Sequence, residues 1–492
     1  MAPHTFLWHD YETFGLNPRC ERPSQFAGIR TDAELNEIGE PVMLYCKPAN
    51  DYLPDPASCL LTGITPQLCL ERGLPEHAFA AQIESLLAQP GTIGVGYNTI
   101  RFDDEVTRFM FWRNLIDPYA REWQNECGRW DILDVVRMAY ALRPEGIVWP
   151  RKADDRKPSD ASATRPSFKL EDLARANGLL HEAAHDALSD VRATIALAKL
   201  IKTAQPGLFD FAFSLHKKER VVAQLGLPAT QQNARPFLHV SGMFAPERGC
   251  LAVMWPLATH PFNKNELLAW DLAFDPGELA SLDVATLRQR LFSKTADLPE
   301  GVSRLPLKSV HLNKSPIVIR KLERLIPEMA GKWGIDIDSA LANAKKARDL
   351  PDMSAIWPAV FSRPEEAAPD VDENLYGAFV GNEDRRRLNH LRALSPAELA
   401  HDRTGFDDDR LGELVFRYRA RNFPETLSPA DAQRWQAHRM ARLLEGEGGA
   451  RNLDALFAEI DAQAETEKGS TEQGEALLGA LYDYAEMMAP EV

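Results

Sequence analysis

Short apolar runs alternate with longer stretches of helical spacing along the first 200 residues. The short runs predict buried strands at 5–11, 25–31, 42–47 and 92–97, the first three antiparallel because their connections are short. Apolar residues at helical spacing predict helices at 75–88, 103–114, 130–142, 169–177 and 186–202. Strands that alternate with helices favour an α/β domain.

The pattern changes after residue 203. Aromatic and β-branched runs at 237–244, 250–255 and 266–272 predict a small β-rich domain, with helices near 284–292 and 318–345. From residue 361 onward Ala, Glu, Leu and Arg dominate and predict an all-helical domain. We therefore expect three domains, at 1–203, 204–360 and 361–492. The segment 151–167 is rich in Lys, Arg, Asp, Ser and Pro and predicts a mobile loop.

Charge is distributed unevenly over these segments. The chain of 492 residues has a net charge of −16, which is unusual for a nucleic-acid-binding protein. Residues 361–492 hold 15 Lys and Arg against 27 Asp and Glu, a net of −12, whereas residues 201–360 hold 20 against 16, a net of +4. The middle segment is therefore the part best suited to meet phosphates, although net charge does not locate a patch.

Three exclusions narrow the class of protein. No run of 18 apolar residues is present, so no membrane span is predicted. The N-terminus lacks a signal-peptide pattern. The six cysteines form no CxxC pair, which is typical of reduced thiols and predicts a cytoplasmic protein.

Asp10 and Glu12 lie two residues apart in the first predicted strand, so both project to the same face. Flanking apolar residues indicate burial, and buried carboxylates need partners. A lone D-x-E spacing is common and is also compatible with an ordinary polar strand edge.

Asp103 opens a predicted helix, where an N-cap is the simplest interpretation, and the acidic Asp104 and Glu105 in the same first turn agree with it. His185 and Asp190 flank the start of the last helix before residue 203. Each motif alone has an ordinary structural explanation. If the four carboxylates converge, however, their mutual repulsion calls for divalent cations, and the histidine adds a group that titrates near neutral pH.

The three motifs occur in this order and on these element types in the DEDD superfamily of 3′→5′ exonucleases, and the chain resembles its DEDDh branch, in which a His precedes the last Asp by five positions. Within that branch the chain is similar to the bacterial exonuclease I family. The strings that carry this likeness are 9–15, 22–27, 45–48, 61–67, 101–108, 239–244, 311–314 and 418–424. The resemblance implies an RNase H-like exonuclease domain with a mixed sheet, an SH3-like β-rich domain and an all-α C-terminal domain.

The resemblance also implies two-metal phosphodiester hydrolysis that releases 5′-mononucleotides from a 3′ end of single-stranded DNA, with a role in DNA repair and recombination. Two Mg²⁺ ions are expected, and Mn²⁺ is expected to substitute. Asp10 would bridge both ions, Glu12 and Asp190 would hold the ion that carries the attacking water, and Asp103 would support the second ion. His185 would act as general base.

Further positions look like substrate contacts by the same resemblance. Besides Glu12, they are Lys169, Arg108, Tyr119, Trp123, Arg137, Phe211, Asn265, Lys308 and Arg320. From spacing alone, the residues between 101 and 143 fit equally well as amphipathic helices with inward aromatics and solvated arginines. Lys169 stands where the family pattern has Arg, and a lysine cannot form the bidentate contact of a guanidinium. The loop 151–166 looks longer than is usual in the family.

The resemblance implies a monomer whose partners are single-stranded DNA and the acidic tail of single-stranded DNA-binding protein. Two alternatives remain at this point. A DEDDh exonuclease acting on RNA or short oligonucleotides would use the same five residues, although the roughly 290 residues beyond the first domain favour a longer strand. A non-enzymatic nucleic-acid-binding protein with a decayed site is the other, and the presence of all five residues opposes it.

Overall fold

The computed structural model describes residues 4–154, 164–179, 187–229, 233–364 and 367–489. Its strands are β1 (Thr5–Thr13), β2 (Pro23–Thr31), β3 (Val42–Tyr45), β4 (Thr92–Gly96), β5 (Gly128–Asp131), β6 (Arg151–Ala153), β7 (Thr164–Pro166), β8 (Phe237–Val240), β9 (Leu251–Thr259), β10 (Glu266–Asp271), β11 (Leu307–His311) and β12 (Ile317–Ile319).

The helices in the first part of the chain are α1 (Pro56–Thr62), α2 (Pro66–Arg72), α3 (Glu76–Leu87), α4 (Asp103–Arg113), α5 (Ile132–Leu142), α6 (Leu170–Ala176), α7 (Ala187–Ala204), α8 (Pro206–Ser214), α9 (Lys218–Leu225) and α10 (Val284–Phe292). The remaining helices are α11 (Pro327–Lys332), α12 (Ile337–Arg348), α13 (Trp357–Phe361), α14 (Asn382–Ala393), α15 (Pro396–His401), α16 (Arg410–Asn422), α17 (Pro429–Met440), α18 (Leu453–Ala464) and α19 (Glu472–Met488). Over the described ranges, none of these helices is long and apolar enough to cross a bilayer.

The first sheet is mixed and has the order β3-β2-β1-β4-β5. β1 pairs antiparallel with β2, from Phe6↔Thr31 to Thr13↔Pro23, and parallel with β4, from Thr5↔Thr92 to Trp8↔Val95. β1 therefore extends beyond the last paired position of β4. This arrangement confirms the predicted α/β class and the antiparallel pairing of the first three strands.

The second sheet is antiparallel, in the order β11-β10-β9-β8-β12, and confirms the predicted β-rich segment. Helix α10 lies where a helix was expected. The helix expected from residue 318 was wrong at its start, because the buried, β-branched Ile317–Ile319 form strand β12.

Three other differences have local causes. A helix was predicted from Trp130, but Asp131 caps α5 by accepting from the backbone N–H of Leu133 at 2.9 Å, so the helix begins at Ile132 and the preceding residues form β5. The ends of the expected loop at 151–167 instead pair as β6 and β7, while 155–163 lie outside the described residues. Helices α1, α2, α8 and α9 were not predicted, and all four are shorter than ten residues.

The chain divides into two compact units. The first comprises the described parts of Met1–Gly128, His181–Arg192 and Glu366–Val492, and the second comprises those of Arg129–Leu180 and Ala193–Glu365. Within the first unit the C-terminal helices share apolar cores with the N-terminal segment. One such core joins Phe14 and Tyr52 to Leu456 and Leu481, and another joins Trp112 to the C-terminal helices. The domain boundaries at 203 and 360 stay predictions.

Candidate active site

Strand β1 carries the first two acidic side chains of the site. Asp10 lies opposite Ala27 and Glu12 opposite Gln25 in the ladder with β2, and the register shifts directly after Glu12. Residues two apart in a strand share a face, so both carboxylates project to one side of the sheet. Tyr11, between them, is only 4% exposed and packs on the other side against Phe26, with ring centroids 5.0 Å apart.

Asp103 approaches the same stretch of β1 from helix α4. The parallel ladder with β4 ends at Trp8, so the backbone N–H of Tyr11 lies beyond it and donates to Asp103 Oδ1 at 3.1 Å. The simple N-cap interpretation was wrong, because the cap position is Phe102 and Asp103 is the first helical residue. Its neighbour Asp104 is fully buried and accepts from Arg121 at 2.5 Å.

Asp190 completes a group of three carboxylates. It lies in the first turn of α7, and one carboxylate oxygen each from Asp10, Glu12 and Asp190 lie within 4.8 Å of one another. This is the one such group of possible metal ligands among the residues that the structure describes. His185, the fifth predicted residue, lies outside the described residues.

The electrostatics of the site follow from this convergence. Burial raises the pKa of Asp10 well above its ordinary value, and the charges of Asp103, Glu12 and Asp190 raise it further. All four groups offer only oxygen atoms, which are the ligands that hard divalent cations such as Mg²⁺ and Mn²⁺ prefer. A bound cation would relieve the repulsion, so the residues present fit a divalent-metal site.

His9 is the described histidine beside these carboxylates in sequence, but its environment does not suit a proton acceptor. Burial is the main cause that lowers its pKa, to about 4. Its Nδ1 lies 3.2 Å from the carbonyl oxygen of Leu7, and its Nε2 lies 3.5 Å from Thr99 Oγ1. His9 is therefore a neutral, hydrogen-bonded core residue at physiological pH.

The predicted substrate contacts of the first unit differ in their exposure. Arg108 donates to both carboxylate oxygens of Glu122, at 2.7 and 2.8 Å, and to Glu105 at 2.8 Å, and these partners raise its pKa although burial opposes the rise. Its guanidinium also lies over the ring of Tyr119, 5.2 Å from the centroid. Trp123, in contrast, is 65% exposed and presents a free aromatic face to solvent. All three contacts stay predictions.

In the second unit, the predicted contacts occupy several elements. Lys169 is exposed at the N-cap position of α6, and Arg137 donates to Asp134 on the same helix at 2.6 Å. Phe211 is half-buried in α8, and the side chain of Asn265 accepts from Lys218 Nζ at 2.6 Å.

Two of the predicted substrate contacts are basic residues that lie in or beside the antiparallel sheet of this unit. Lys308 pairs with Ala269 in the β10–β11 ladder, and burial lowers its pKa. Arg320 is exposed just after β12. Their roles as substrate contacts stay predictions.

Sequence reasoning missed one residue that contacts Arg108, namely Tyr376. The hydroxyl of Tyr376 accepts from Arg108 at 3.1 Å and donates to Glu105 at 2.5 Å. Tyr376 is separated from these partners by about 270 residues, so no local pattern signals the contact. Its position becomes apparent only when the C-terminal helices pack against α4.

Family models match three successive parts of the chain. The family model described as Exonuclease matches residues 7–198, that of the Exonuclease I SH3-like domain matches 216–363, and that of the Exonuclease I C-terminal domain matches 369–488. Exodeoxyribonuclease I of Escherichia coli K12 is 45% identical over 486 residues, which cover 98% of each chain. Exodeoxyribonuclease I of Haemophilus influenzae is also 45% identical, over 89% of this chain and 90% of that one.

Solved structures agree with this likeness. An exonuclease I from Methylocaldum szegediense has a TM-score of 0.91 at 45% identity and 99% coverage of both chains. E. coli exonuclease I in complex with a dA16 oligonucleotide has a TM-score of 0.90 at 44% identity, over 99% of this chain and 100% of that one. Two further similar structures are a zinc-bound E. coli ExoI–ssDNA complex and an ExoI/SSB-Ct complex, with TM-scores of 0.90 and 0.89, both at 44% identity over 99% of this chain and at least 99% of the other.

Proposed function

The chain belongs to the exonuclease I family, and from that membership we propose that it degrades single-stranded DNA in the 3′→5′ direction and releases 5′-mononucleotides. The observation that carries the proposal is the convergence of Asp10, Glu12 and Asp190 within 4.8 Å, with Asp103 bonded to the same strand. Such a group is costly to maintain without cations and well suited to bind them.

The metal site consists of carboxylates from three separate elements. Asp10 and Glu12 from β1 and Asp190 from α7 would hold a divalent cation, and Asp103 from α4 would support a second one. Mg²⁺ is the proposed ion in both positions, and Mn²⁺ would substitute for it, because every ligand atom is a carboxylate oxygen. When bound, such ions polarise the scissile phosphate and lower the pKa of the attacking water.

The remaining chemistry belongs to the chain's own residues. His185 takes the proton from the water, a role that suits the ordinary pKa of histidine near neutrality. The Tyr11 amide, which donates to Asp103, connects β1 to α4 between Asp10 and Glu12. His9 takes no part in this transfer, since its low pKa leaves it neutral and both ring nitrogens have neighbours within 3.5 Å.

We propose that aromatic rings and positively charged side chains together bind the DNA strand. Trp123 offers an exposed indole for a base to stack on, and base–aromatic stacking contributes about 1–3 kcal/mol per base. Arg108 keeps its position through its ion pair with Glu122 and its contact with the ring of Tyr119. The other proposed contacts are Glu12, Lys169, Arg137, Phe211, Asn265, Lys308 and Arg320.

Partners and context are proposed on the same membership. The relatives solved with oligonucleotides and with SSB-Ct support single-stranded DNA and the acidic tail of single-stranded DNA-binding protein as partners. We place the chain as a monomer in the cytoplasm with a role in DNA repair. The domains proposed for these tasks are the exonuclease domain at 1–203, the SH3-like domain at 204–360 and the helical domain at 361–492.

An end-labelling experiment tests the proposal. Single-stranded DNA labelled at either end is incubated with the chain and Mg²⁺, with EDTA as the control, and duplex DNA and RNA are run in parallel. A 3′ label should appear at once as mononucleotide, whereas a 5′ label should remain on shortening strands. Release that persists in EDTA would contradict the metal site, and equal degradation of RNA would point to the broader DEDDh activity instead.

A further inference from the structure

Tyr11 occupies an unusual position, because it separates the two proposed metal ligands of β1 and has its own side chain on the opposite face of the sheet. Its ring is 4% exposed among apolar residues, yet it keeps a hydroxyl group there. A buried hydroxyl is costly unless it is hydrogen-bonded. The identity of its partner is therefore informative.

That partner is Thr107, one turn into helix α4. Thr107 Oγ1 lies 3.0 Å from the Tyr11 hydroxyl and 2.8 Å from the carbonyl oxygen of Asp103. A threonine hydroxyl has one proton, and a carbonyl can only accept. The Thr107 proton therefore goes to Asp103, and the Tyr11 phenol donates to Thr107.

The main chain of Tyr11 provides a second link to α4. The Tyr11 N–H donates to Asp103 Oδ1 at 3.1 Å. Tyr11 is thus joined to the first turn of α4 twice, once through its amide and once through its hydroxyl and Thr107. Thr107 and Asp103 are 0% and 3% exposed, so water does not compete for either bond.

We infer that Tyr11 and Thr107 are positioning residues that set the separation between the β1 carboxylates, Asp10 and Glu12, and the α4 carboxylate, Asp103. Both hydroxyls belong to the buried contact between Tyr11 and α4, and Tyr11 projects from the face of β1 opposite to Asp10 and Glu12. Their effect passes through the backbone of β1, which pairs with β2 on one side up to Thr13 and, beyond the end of its ladder with β4, contacts α4 on the other side. The inference rests on the proposed function, since it concerns the affinity of that metal site.

The test uses Tyr11→Phe and Thr107→Val, which remove one hydroxyl each with little change of shape. Substitution of a group that orients a metal ligand typically lowers metal affinity or activity by about 10–100-fold. We expect the Mn²⁺ dissociation constant of the whole chain, measured by calorimetry without DNA, to rise at least about tenfold in both variants. Thr107→Ser, which retains a hydroxyl, should bind Mn²⁺ within about twofold of the unchanged chain.

Thr31→Val is the matched control. Thr31 is also fully buried and lies opposite Phe6, four positions before Asp10 on β1, and its hydroxyl accepts from the indole N–H of Trp8 at 2.9 Å. It should lower the melting temperature about as much as Thr107→Val and leave Mn²⁺ binding unchanged. The double variant Tyr11→Phe/Thr107→Val should lose no more affinity than Thr107→Val alone, because Thr107→Val already removes the one hydrogen bond that Tyr11→Phe removes.

The outcomes separate the two proposals. If the unchanged chain binds no Mn²⁺, the metal site itself fails. If it binds Mn²⁺ and Tyr11→Phe binds equally well, the metal site stands and the positioning role is overturned. If Thr107→Val does not fold, Tyr11→Phe and Thr107→Ser still decide the question, since each retains the bulk of its side chain.

Discussion

Asp10→Asn is expected to stabilise the metal-free protein while it abolishes the proposed activity. Asparagine keeps the shape of the side chain and removes one of the converging negative charges. At 4.8 Å two unit charges repel by about 3.5 kcal/mol when the effective dielectric constant is about 20, and Asp10 faces both Glu12 and Asp190 at no more than this separation. A carboxyl whose pKa is raised takes up a proton and escapes part of this repulsion, so we expect a net gain of about 1–3 kcal/mol.

The dependence on pH gives the sign of the effect. The pKa of Asp10 is raised in the folded state above its ordinary value of 3.8, so the folded state binds the proton more tightly than the unfolded chain. The stability that this contributes is present at low pH and is lost as pH rises through the folded-state pKa. The advantage of Asp10→Asn over the unchanged chain should therefore grow as pH rises from 5 to 8.

Thermal unfolding in EDTA and in saturating Mn²⁺ measures both effects. About 2–4 °C per kcal/mol is expected for a domain near 200 residues. Mn²⁺ should raise the melting temperature of the unchanged chain by mass action and that of Asp10→Asn far less, so the order of stability reverses. Glu300→Gln, an exposed neutralisation outside the site, should change neither measurement. An Asp10→Asn protein that is less stable than the unchanged chain in EDTA at every pH would refute the reasoning.

Three further expectations can be measured with single variants. His185→Ala should lower kcat at neutral pH by about 10²–10⁴-fold, measured by nucleotide release, while single-stranded DNA binding measured by fluorescence anisotropy stays intact; unchanged turnover would remove His185 from the chemistry. Trp123→Ala should weaken that binding by about 1–3 kcal/mol without changing its dependence on salt, whereas an unaltered Kd would leave the exposed indole without a role in the grip. Asp51→Asn should cost about 3–5 kcal/mol in urea unfolding, because Asp51 is 1% exposed and pairs with Arg421 at 2.7 Å; a loss below 1 kcal/mol would show that water reaches this pair.

The acidic motif was predictable from sequence because its chemistry is encoded locally. The i, i+2 spacing of Asp10 and Glu12 fixes a common face as soon as the segment is a strand. The family resemblance supplied what spacing could not, namely that Asp103 and Asp190, 93 and 180 positions beyond Asp10, belong to the same group. Asp103 shows the limit of local reasoning, since its pattern favoured a cap and the structure instead bonds it to Tyr11.

The contacts made across long separations could not be predicted. Nothing near Arg108 in the sequence indicates that Tyr376 bonds to it, because that contact depends on how α4 packs against the C-terminal helices. Nothing near Thr107 in the sequence indicates that its hydroxyl contacts Tyr11, because that contact depends on how β1 packs against α4. Short elements such as α1 and β5 were missed for a different reason, since capping residues and sheet pairing determine them more than hydrophobic periodicity does.

The acidic C-terminal segment illustrates why net charge is a weak guide to function. Part of its negative charge is neutralised by ion pairs inside the first unit, where Asp372 is 3% exposed between Arg22, Arg417 and Arg421. These arginines hold the pKa of Asp372 well below its ordinary value, against the effect of burial. A carboxylate with a lowered pKa stabilises the fold above the unfolded-state pKa and loses that contribution as pH falls below about 4. The charge of Asp372 therefore stabilises the packing of this segment against the N-terminal segment, and the sign of the net charge alone gives no argument against a nucleic-acid substrate.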